Sequence, residues 1–402
     1  MHNDNHNQKA LYFSGLDGLR LIASVNIVLF HFQYIGGFYN MGGNPGWFFR
    51  ILKGPAFHAS LFFILGGFIF ATKFAPKIAT FKNWPFLKKR FSELYPLHLI
   101  TTLIMASLFV IKRWGTESID WSKLGYSIFM HLSFLWSLWP FGSLNLNTPS
   151  WALSAMFFCY LLFGPLLRWT VSIKNKRTVI FYIALFFVPI AAWAYLYGIL
   201  GPSTEYYHFF HTFAPVRFFE FGLGVLLAKL FILRKEKTPA AVSNLTSNKK
   251  YCLKGLCCDL AIVFCVFLVF QNLGLQYMGK PTLTFFSYHV LMVPIYLLIL
   301  YIVAIEKGIT ARILSFHFLR KMGRTSFYPY MIHIPLMSIV TMYCERVLGY
   351  RKFLHSPRNI VIFMIVLYGC SYLYVYALRD KRRAKKMELE AVQTVQTAGA
   401  TN

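Results

Sequence analysis

The chain has 402 residues, of which 57% are hydrophobic and only 14% are charged. Because a soluble domain carries about 25% charged residues, this composition and a mean hydropathy of +0.51 exclude an ordinary soluble protein and indicate a multi-pass protein of the lipid bilayer. The net charge of +27 would suit a nucleic-acid partner. The basic residues lie between apolar segments, however, as the positive-inside rule predicts for a membrane protein, and we therefore expect no nucleic-acid binding.

The first apolar segment contains Arg20 and His31. Eleven residues rise about 16 Å along an α-helix and return to within roughly 20° of the starting direction, so both side chains lie on one face at two depths. A charge at the centre of a membrane helix costs roughly 2.5–3.5 kcal/mol, and such residues usually mark a functional interior. The alternative is that Arg20 extends to the membrane interface while His31 forms a hydrogen bond inside a helix bundle, and the spacing alone leaves both open.

Further apolar segments reach the length of about 20 residues that crosses the hydrocarbon layer. The segment 124–140 is the weakest, because it is short and polar. The basic loop between residues 73 and 90 should be cytoplasmic, and the later basic loops share that side only if 124–140 does not cross. We therefore predict an all-α integral membrane protein with about ten transmembrane helices and cytoplasmic N- and C-termini. The predicted spans are 17–36, 56–75, 94–112, 150–170, 178–200, 215–233, 255–275, 283–305, 325–347 and 359–379.

These spans define one polytopic membrane domain over residues 1–380. Residues 113–149 are expected to form a re-entrant or interfacial segment on the outward side, and residues 381–402 a disordered, basic-to-polar cytoplasmic tail. The cysteines within the apolar segments have no metal-ligand or redox spacing, so we expect small buried hydrophobic residues and no metal site.

Six short motifs follow one another between about residue 14 and residue 340. They read LDGLR at 16–20, LFFILGGF at 61–68, KKRFSELYP at 88–96, WALS at 151–154, RFFEFGLG at 217–224 and GRTSFYPYMIHIP at 323–335. In this order and spacing, with an Arg followed after ten residues by a His, they resemble the signature of acyltransferase family 3, a family of multi-pass membrane enzymes. Three positions depart from the family's pattern. Gly66 stands where Ser is usual, Glu93 where a second Arg is usual, and Met156 where Glu is usual.

The resemblance implies transfer of an acyl group, often acetyl from acetyl-CoA, to a hydroxyl of a glycan or lipid-linked glycan, and a location in the bacterial inner membrane. It also implies a donor-binding set on the cytoplasmic side. Lys88, Lys89, Arg90 and Tyr95 form this set, in which the lysines offset the absence of the second Arg as point charges. The alternative for the basic residues is an ordinary positive-inside anchor.

The resemblance places catalysis at Asp17, Arg20 and His31. A neutral His31 would remove the proton from the acceptor hydroxyl as a general base, a role that typically contributes 10²–10⁴-fold. Asp17 precedes Arg20 by three residues, so it is a helical neighbour that we expect to hold Arg20 in place. A covalent acyl-histidine is a second possible mechanism.

Six further residues are expected to contact the acceptor or to form a structural polar lining. Arg217 and Glu220 would form an internal ion pair or bind a sugar, and His333 would be a bundle histidine or part of the site. Ser154 would line the site or bond to its own backbone. The set is completed by Trp151 and Tyr330.

These expectations describe an O-acetyltransferase of a surface polysaccharide such as an O-antigen. Two alternatives are a transporter or flippase for a lipid-linked sugar, in which the buried polar residues line a substrate path, and a catalytically degenerate member of the family.

Overall fold

A computed structural model describes residues 12–35, 58–200, 204–236, 248–275, 281–350 and 353–377. Within these ranges the chain is helical and contains no strand, which confirms the predicted all-α class. The predicted tail at 381–402 lies outside the described residues. The helices are α1 Ser14–Ile35, α2 His58–Phe74, α3 Asn83–Arg113, α4 Trp121–Leu132, α5 Ser150–Ser172, α6 Lys176–Leu200, α7 Thr204–Thr212, α8 Ala214–Glu236, α9 Asn248–Leu275, α10 Pro281–Ala304, α11 Ile309–Leu314, α12 His317–Thr325, α13 Phe327–Arg346 and α14 Pro357–Ala377.

A helix occupies each of the ten predicted spans. Eight of these helices are long and apolar enough to cross a membrane, namely α1, α2, α3, α5, α6, α9, α10 and α14. The other two, α8 and α13, have 23 and 20 residues and carry buried polar side chains. The protein is therefore a multi-pass membrane protein, while the number of crossings and the side of the termini stay predictions.

The segment 113–149 contains a single helix in this structure, α4, whose 12 residues rise only about 18 Å. The Asp120 side chain caps its first turn by accepting a bond of 2.9 Å from the backbone N–H of Lys123. Turns follow α4, and Phe134 there adopts a positive φ of 59°. The geometry suits a segment that enters the bundle without crossing it, and its position in the membrane stays a prediction.

Glycines from two of the motifs permit a very close helix contact between α2 and α8. A Cβ atom on Gly67 would lie 2.0 Å from the carbonyl oxygen of Phe221, and one on Gly224 would lie 1.9 Å from that of Ile64. Any side chain at either position would therefore force the helices apart. Small residues serve this purpose at helix interfaces in membranes, and the contact fixes α2 beside the buried polar residues of α8.

A second close approach joins α1 to the end of α12 and to the turn that follows it. A Cβ atom on Gly323 would lie 1.8 Å from the carbonyl oxygen of Asp17. The hydroxyl of Ser24 donates to the carbonyl oxygen of Ser326 over 3.2 Å and lies 2.7 Å from the hydroxyl of Tyr368 on α14. These contacts set the face of α1 that carries Arg20 and His31 against the beginning of α13.

Candidate active site

His31 on α1 faces His333 on α13. The Nε2 atom of His333 lies 3.1 Å from Nδ1 of His31, and the ring centroids are 4.9 Å apart. His333 is completely buried and His31 is half-buried. The fold thus joins two residues that are 302 positions apart, and the His31 ring points toward a neighbouring helix.

The hydrogen bonds of the two rings define their tautomers. Nδ1 of His31 lies 2.8 Å from the carbonyl oxygen of Ile27, and Nδ1 of His333 lies 3.1 Å from that of Pro329. Because a carbonyl oxygen only accepts hydrogen bonds, both Nδ1 atoms carry the proton when the rings are neutral. Nε2 of His333 is then an acceptor for the shared Nδ1 proton of His31. Nε2 of His31 keeps its lone pair, which is the state that a general base requires.

Asp17 is the centre of a polar cluster at the beginning of α1. It forms an ion pair with Arg20, with Oδ1 of Asp17 3.5 Å from Nη1 of Arg20. Its Oδ2 accepts hydrogen bonds from the Tyr12 hydroxyl over 2.8 Å and from Nε of Arg324 over 2.9 Å. The bond to Asp17 raises the pKa of Arg324 above its already high value. One buried carboxylate therefore orients two guanidinium groups.

A cavity of about 380 Å³ extends from this cluster toward the histidine pair. It is lined by Ala59 and Lys73, which lie near opposite ends of α2 and are about 21 Å apart along the helix axis. Tyr330 also lines the cavity, and its ring centroid is 6.2 Å from that of His333. Tyr330 therefore borders both the cavity and the histidine pair, whereas His31 itself is not part of the wall.

The charges of the cavity wall are unequal. Four cationic side chains line it, and none of the described residues in its wall is a carboxylate. Two carboxylates lie behind the wall and pair with its cations: Asp17 with Arg20 and Arg324, and Glu93, 2.9 Å from Nη1 of Arg90. The cations are Arg20, Lys73, Arg90 and Arg324.

The expected donor-binding residues are only partly brought together. Arg90 lines the cavity, but Lys88 and Lys89 are exposed outside it. On α3 these lysines point roughly 200° and 100° away from Arg90, so the three cannot share one face. Tyr95 stacks on Phe91 at a centroid distance of 4.3 Å and does not line the cavity either.

Arg217 and Glu220 form a completely buried ion pair, with Nη1 and Oε1 2.7 Å apart. The Ser60 hydroxyl lies 2.9 Å from the same Oε1 and 3.1 Å from Nη1 of Arg217, which ties α8 to α2. Nε of Arg217 donates to the carbonyl oxygen of His211 over 2.9 Å. Oε2 of Glu220 has no hydrogen-bond partner among the described residues. Neither member of the pair lines the cavity.

Trp151 and Ser154 lie on the first turns of α5, outside the cavity wall. Trp151 is buried beneath the guanidinium of Arg217, whose carbon is 5.2 Å from the ring centroid. The Ser154 hydroxyl lies 2.5 Å from the carbonyl oxygen of Phe134 and 2.7 Å from the hydroxyl of Ser137. Ser154 thus attaches the segment 113–149 to α5 and does not bond to its own helix.

Comparison with known proteins decides the family. The model of acyltransferase family 3, described as an acyltransferase domain, matches residues 13–376. The chain belongs to acyltransferase family 3.

Two curated proteins show partial similarity. "Acyltransferase MdmB" of Streptomyces mycarofaciens is 29% identical over 194 residues, which are 46% of this chain and 49% of that protein. "Protein 2 in picA locus" of Rhizobium radiobacter is 28% identical over 179 residues, 41% of this chain and 86% of that protein. The match therefore spans about half the length of the Streptomyces relative. No solved structure matches the chain.

Within this family member, two departures from the usual pattern are neighbours in space. A Cβ atom on Gly66 would lie 3.3 Å from Cε of Met156, and both residues line the cavity. The third departure, Glu93, neutralises the Arg90 charge. Two of the three residues that differ from the family's pattern therefore line the cavity, and the third contacts a residue that lines it.

Several polar residues of the site were not predicted. His211 and His289 face each other, with Nδ1 and Nε2 3.2 Å apart, and His289 lies in a π-helical turn of α10 at Ser287–Leu291. Burial and the adjacent Arg217 hold the pKa of His211 well below its usual range. Lys73 belongs to the predicted cytoplasmic loop and Arg324 to the motif at 323–335, and each reaches the cavity only through the packing of different helices.

Proposed function

We propose that the protein is a membrane O-acyltransferase that transfers a short acyl group, most simply acetyl, from cytoplasmic acyl-CoA to a hydroxyl of a surface glycan or of its lipid-linked precursor. The observation that carries the proposal is the cavity, because it begins among four cations and ends at Tyr330 beside the histidine pair. The proposal places the enzyme in the bacterial inner membrane.

The positive charge of the cavity wall supports a coenzyme A thioester as the donor. Its phosphate groups need several cations, and guanidinium groups bind phosphate with paired hydrogen bonds. The proposed phosphate ligands are Arg20, Lys73, Arg90 and Arg324, because these line the cavity. Lys88 and Lys89 would then act outside the site, as attraction for the anionic donor or as topology signals.

The length of the cavity supports a donor whose thioester reaches the histidines while its phosphates stay at the cationic end. Arg20 and His31 are about 16 Å apart along α1, and Ala59 and Lys73 about 21 Å apart along α2. The pantetheine arm of the donor would lie along the mostly apolar wall between them, with its phosphates at the cationic end. The acceptor alcohol would approach His31 from the outward side, if the N-terminus is cytoplasmic as predicted.

The proposed reaction is direct transfer. Nε2 of His31 takes the proton of the acceptor hydroxyl as the oxygen attacks the thioester carbonyl. The carbon–sulfur bond then breaks, the ester remains on the acceptor, and the thiolate leaves as free coenzyme A after taking up the proton. His333 would hold the His31 ring through the shared Nδ1 proton. Asp17 would hold Arg20 and Arg324, which leaves phosphate binding, not proton transfer, as their proposed role.

Purified protein in liposomes tests the proposal. With labelled acetyl-CoA outside and a glycan acceptor inside, wild type should form an acetyl ester, and His31→Ala should reduce the rate by at least about 100-fold at equal protein level. His317→Gln, on an exposed residue of α12, is the matched control and should retain full activity. Net movement of a lipid-linked sugar without ester formation would favour the transporter, and no coenzyme A release with any acceptor would favour a degenerate enzyme.

A further inference from the structure

Met156 on α5 packs on Gly66 of α2 in the wall of the cavity. A Cβ atom at position 66 would be 3.3 Å from Cε and 3.6 Å from Sδ of Met156. Both residues are half-buried and belong to the cavity wall. The absence of a side chain on α2 thus creates the space in which the thioether of α5 rests, and the two positions together set the width of the cavity at this level.

The surroundings of this pair are mostly apolar. Ala152, one helical turn before Met156, and Phe62, one turn before Gly66, line the same stretch of the cavity. Lys73 is seven residues from Gly66, about 10 Å further along α2. The phosphates of a donor would therefore bind elsewhere, whereas an aliphatic chain would contact Phe62, Ala152 and the thioether here. Tyr160, one turn after Met156, also lines the cavity.

We propose that Met156, resting on Gly66, limits the length of the acyl chain that the enzyme transfers. The proposal rests on the proposed function, because it requires the thioester to lie in this cavity. Small-molecule sites commonly measure about 300–1,000 Å³, and this cavity of about 380 Å³ must also hold the pantetheine arm. Little space remains for the acyl group, and a longer acyl chain would have to fold back from the thioester along the arm, where the thioether of Met156 narrows the cavity.

A chain-length series tests the proposal. We expect wild type to discriminate against hexanoyl-CoA relative to acetyl-CoA by at least about tenfold in kcat/KM, since one methylene that does not fit is worth roughly 10–200-fold. Met156→Ala removes three heavy atoms, and should raise the hexanoyl-to-acetyl ratio by about tenfold or more. Gly66→Ala should press Met156 into the cavity and lower the butyryl-to-acetyl ratio about two- to fivefold. Adding Met156→Ala to Gly66→Ala should reverse that loss.

The ratios do not depend on the fraction of folded enzyme, because both donors are measured on the same sample. Met156→Leu conserves volume and should leave them within about twofold. Met342→Ala is the same truncation as Met156→Ala at a residue outside this cavity, and should leave them unchanged. Unaltered ratios in Met156→Ala would overturn the proposal, as would an equal change in Met342→Ala.

The inference and the proposed function can fail separately. If wild type transfers no acyl group, the proposed function is wrong. The affinities of hexanoyl-CoA and acetyl-CoA, measured as thermal stabilisation of the detergent-solubilised protein, then decide the inference. A Met156→Ala variant that gains relative affinity for hexanoyl-CoA supports it, and one that does not gain overturns it.

Discussion

Nε of Arg324 lies 2.9 Å from Oδ2 of Asp17, although 307 residues separate them in the chain. The same carboxylate pairs with Arg20, one helical turn further along α1. Both guanidinium groups line the cavity, where their side chains are 48% and 28% exposed and retain donors for an anion. The arrangement joins two separate motifs, at the beginning of α1 and at the end of α12, in one cationic part of the cavity wall.

Replacing Arg324 with Gln should therefore weaken donor binding selectively. A hydrogen bond to a charged group is worth about 1.5–3 kcal/mol, so we expect the KM for acetyl-CoA to rise about ten- to 100-fold while kcat changes little. The KM for acetyl-pantetheine, which has no phosphate, should not change. Initial rates with the two donors measure the difference, and acetyl-phosphopantetheine should give an intermediate effect.

The double variant Lys88→Gln/Lys89→Gln removes two positive charges from the exposed side of α3 and is the matched control. It should leave the KM for acetyl-CoA within about threefold at moderate salt, since exposed charges are screened. If this control weakened the donor more than Arg324→Gln, the donor site would lie on the surface of α3. An equal loss of activity with both donors would mean that Arg324 is needed for folding only.

The contact between His333 and His31 predicts a change in kcat, whereas the Arg324 variant is expected to change KM. His333→Phe keeps a ring in the buried position but removes the Nε2 acceptor, so the His31 ring loses one of the two bonds that orient it. We expect kcat to fall about tenfold or more, with the KM for acetyl-CoA nearly unchanged. A rise in KM at constant kcat would instead indicate that His333 contacts the donor.

The buried ion pair on α8 should matter for stability. Arg217→Met leaves Glu220 charged and unpaired in the interior, which costs roughly 3–5 kcal/mol. We expect a large loss of monodisperse protein on size-exclusion chromatography and a lower Tm. The double variant Arg217→Met/Glu220→Leu removes both charges and should recover most of the Tm. If the double variant is stable but inactive, the pair also has a role in catalysis or acceptor binding.

The segment 113–149 predicts a pH dependence of stability. Burial lowers the pKa of His131 from 6.5 to about 4; its Nδ1 bonds to the carbonyl oxygen of Ser127, and the nearest other titratable ring is that of His98. Above about pH 6.5 the ring is neutral in both states and adds no pH dependence. Below that value the unfolded chain takes up the proton first, so stability falls by up to about 3 kcal/mol as the pH approaches 4.

His131→Leu should make this decrease smaller, whereas the exposed His317→Leu should not; His211, whose pKa burial also lowers, still contributes in both variants. The measurement is the Tm of the detergent-solubilised protein between pH 7.5 and pH 4.5. A parallel decrease in wild type and His131→Leu would show that other groups cause the loss of stability.

The helices could be predicted because a crossing segment needs about 20 consecutive apolar residues, and even α8 and α13 have enough of them around their polar side chains. The spacing of Arg20 and His31 likewise placed both on one face. The partners of these residues could not be predicted, since Arg324 and His333 reach α1 only through tertiary packing. The phase of α3 explains why Lys88 and Lys89 lie outside the cavity that Arg90 lines, because adjacent basic residues on a helix point in different directions. His211 and His289 gave no periodic signal and meet at a π-helical turn, a feature often found at functional sites.

The orientation of the bundle in the membrane can be tested by cysteine labelling. If residues 113–149 do not cross the membrane, the loop between α5 and α6 is cytoplasmic, together with the cationic end of the cavity that the donor must reach. A cysteine at Lys176, the first residue of α6, should then resist a membrane-impermeant maleimide added to intact cells and react only after the membrane is opened. Trp139→Cys, on the exposed part of the segment 113–149, should react in intact cells and serves as the control, both in a background without the exposed native Cys257 and Cys370. Rapid labelling at position 176 in intact cells would contradict this orientation and would place α4 and the following turns across the membrane.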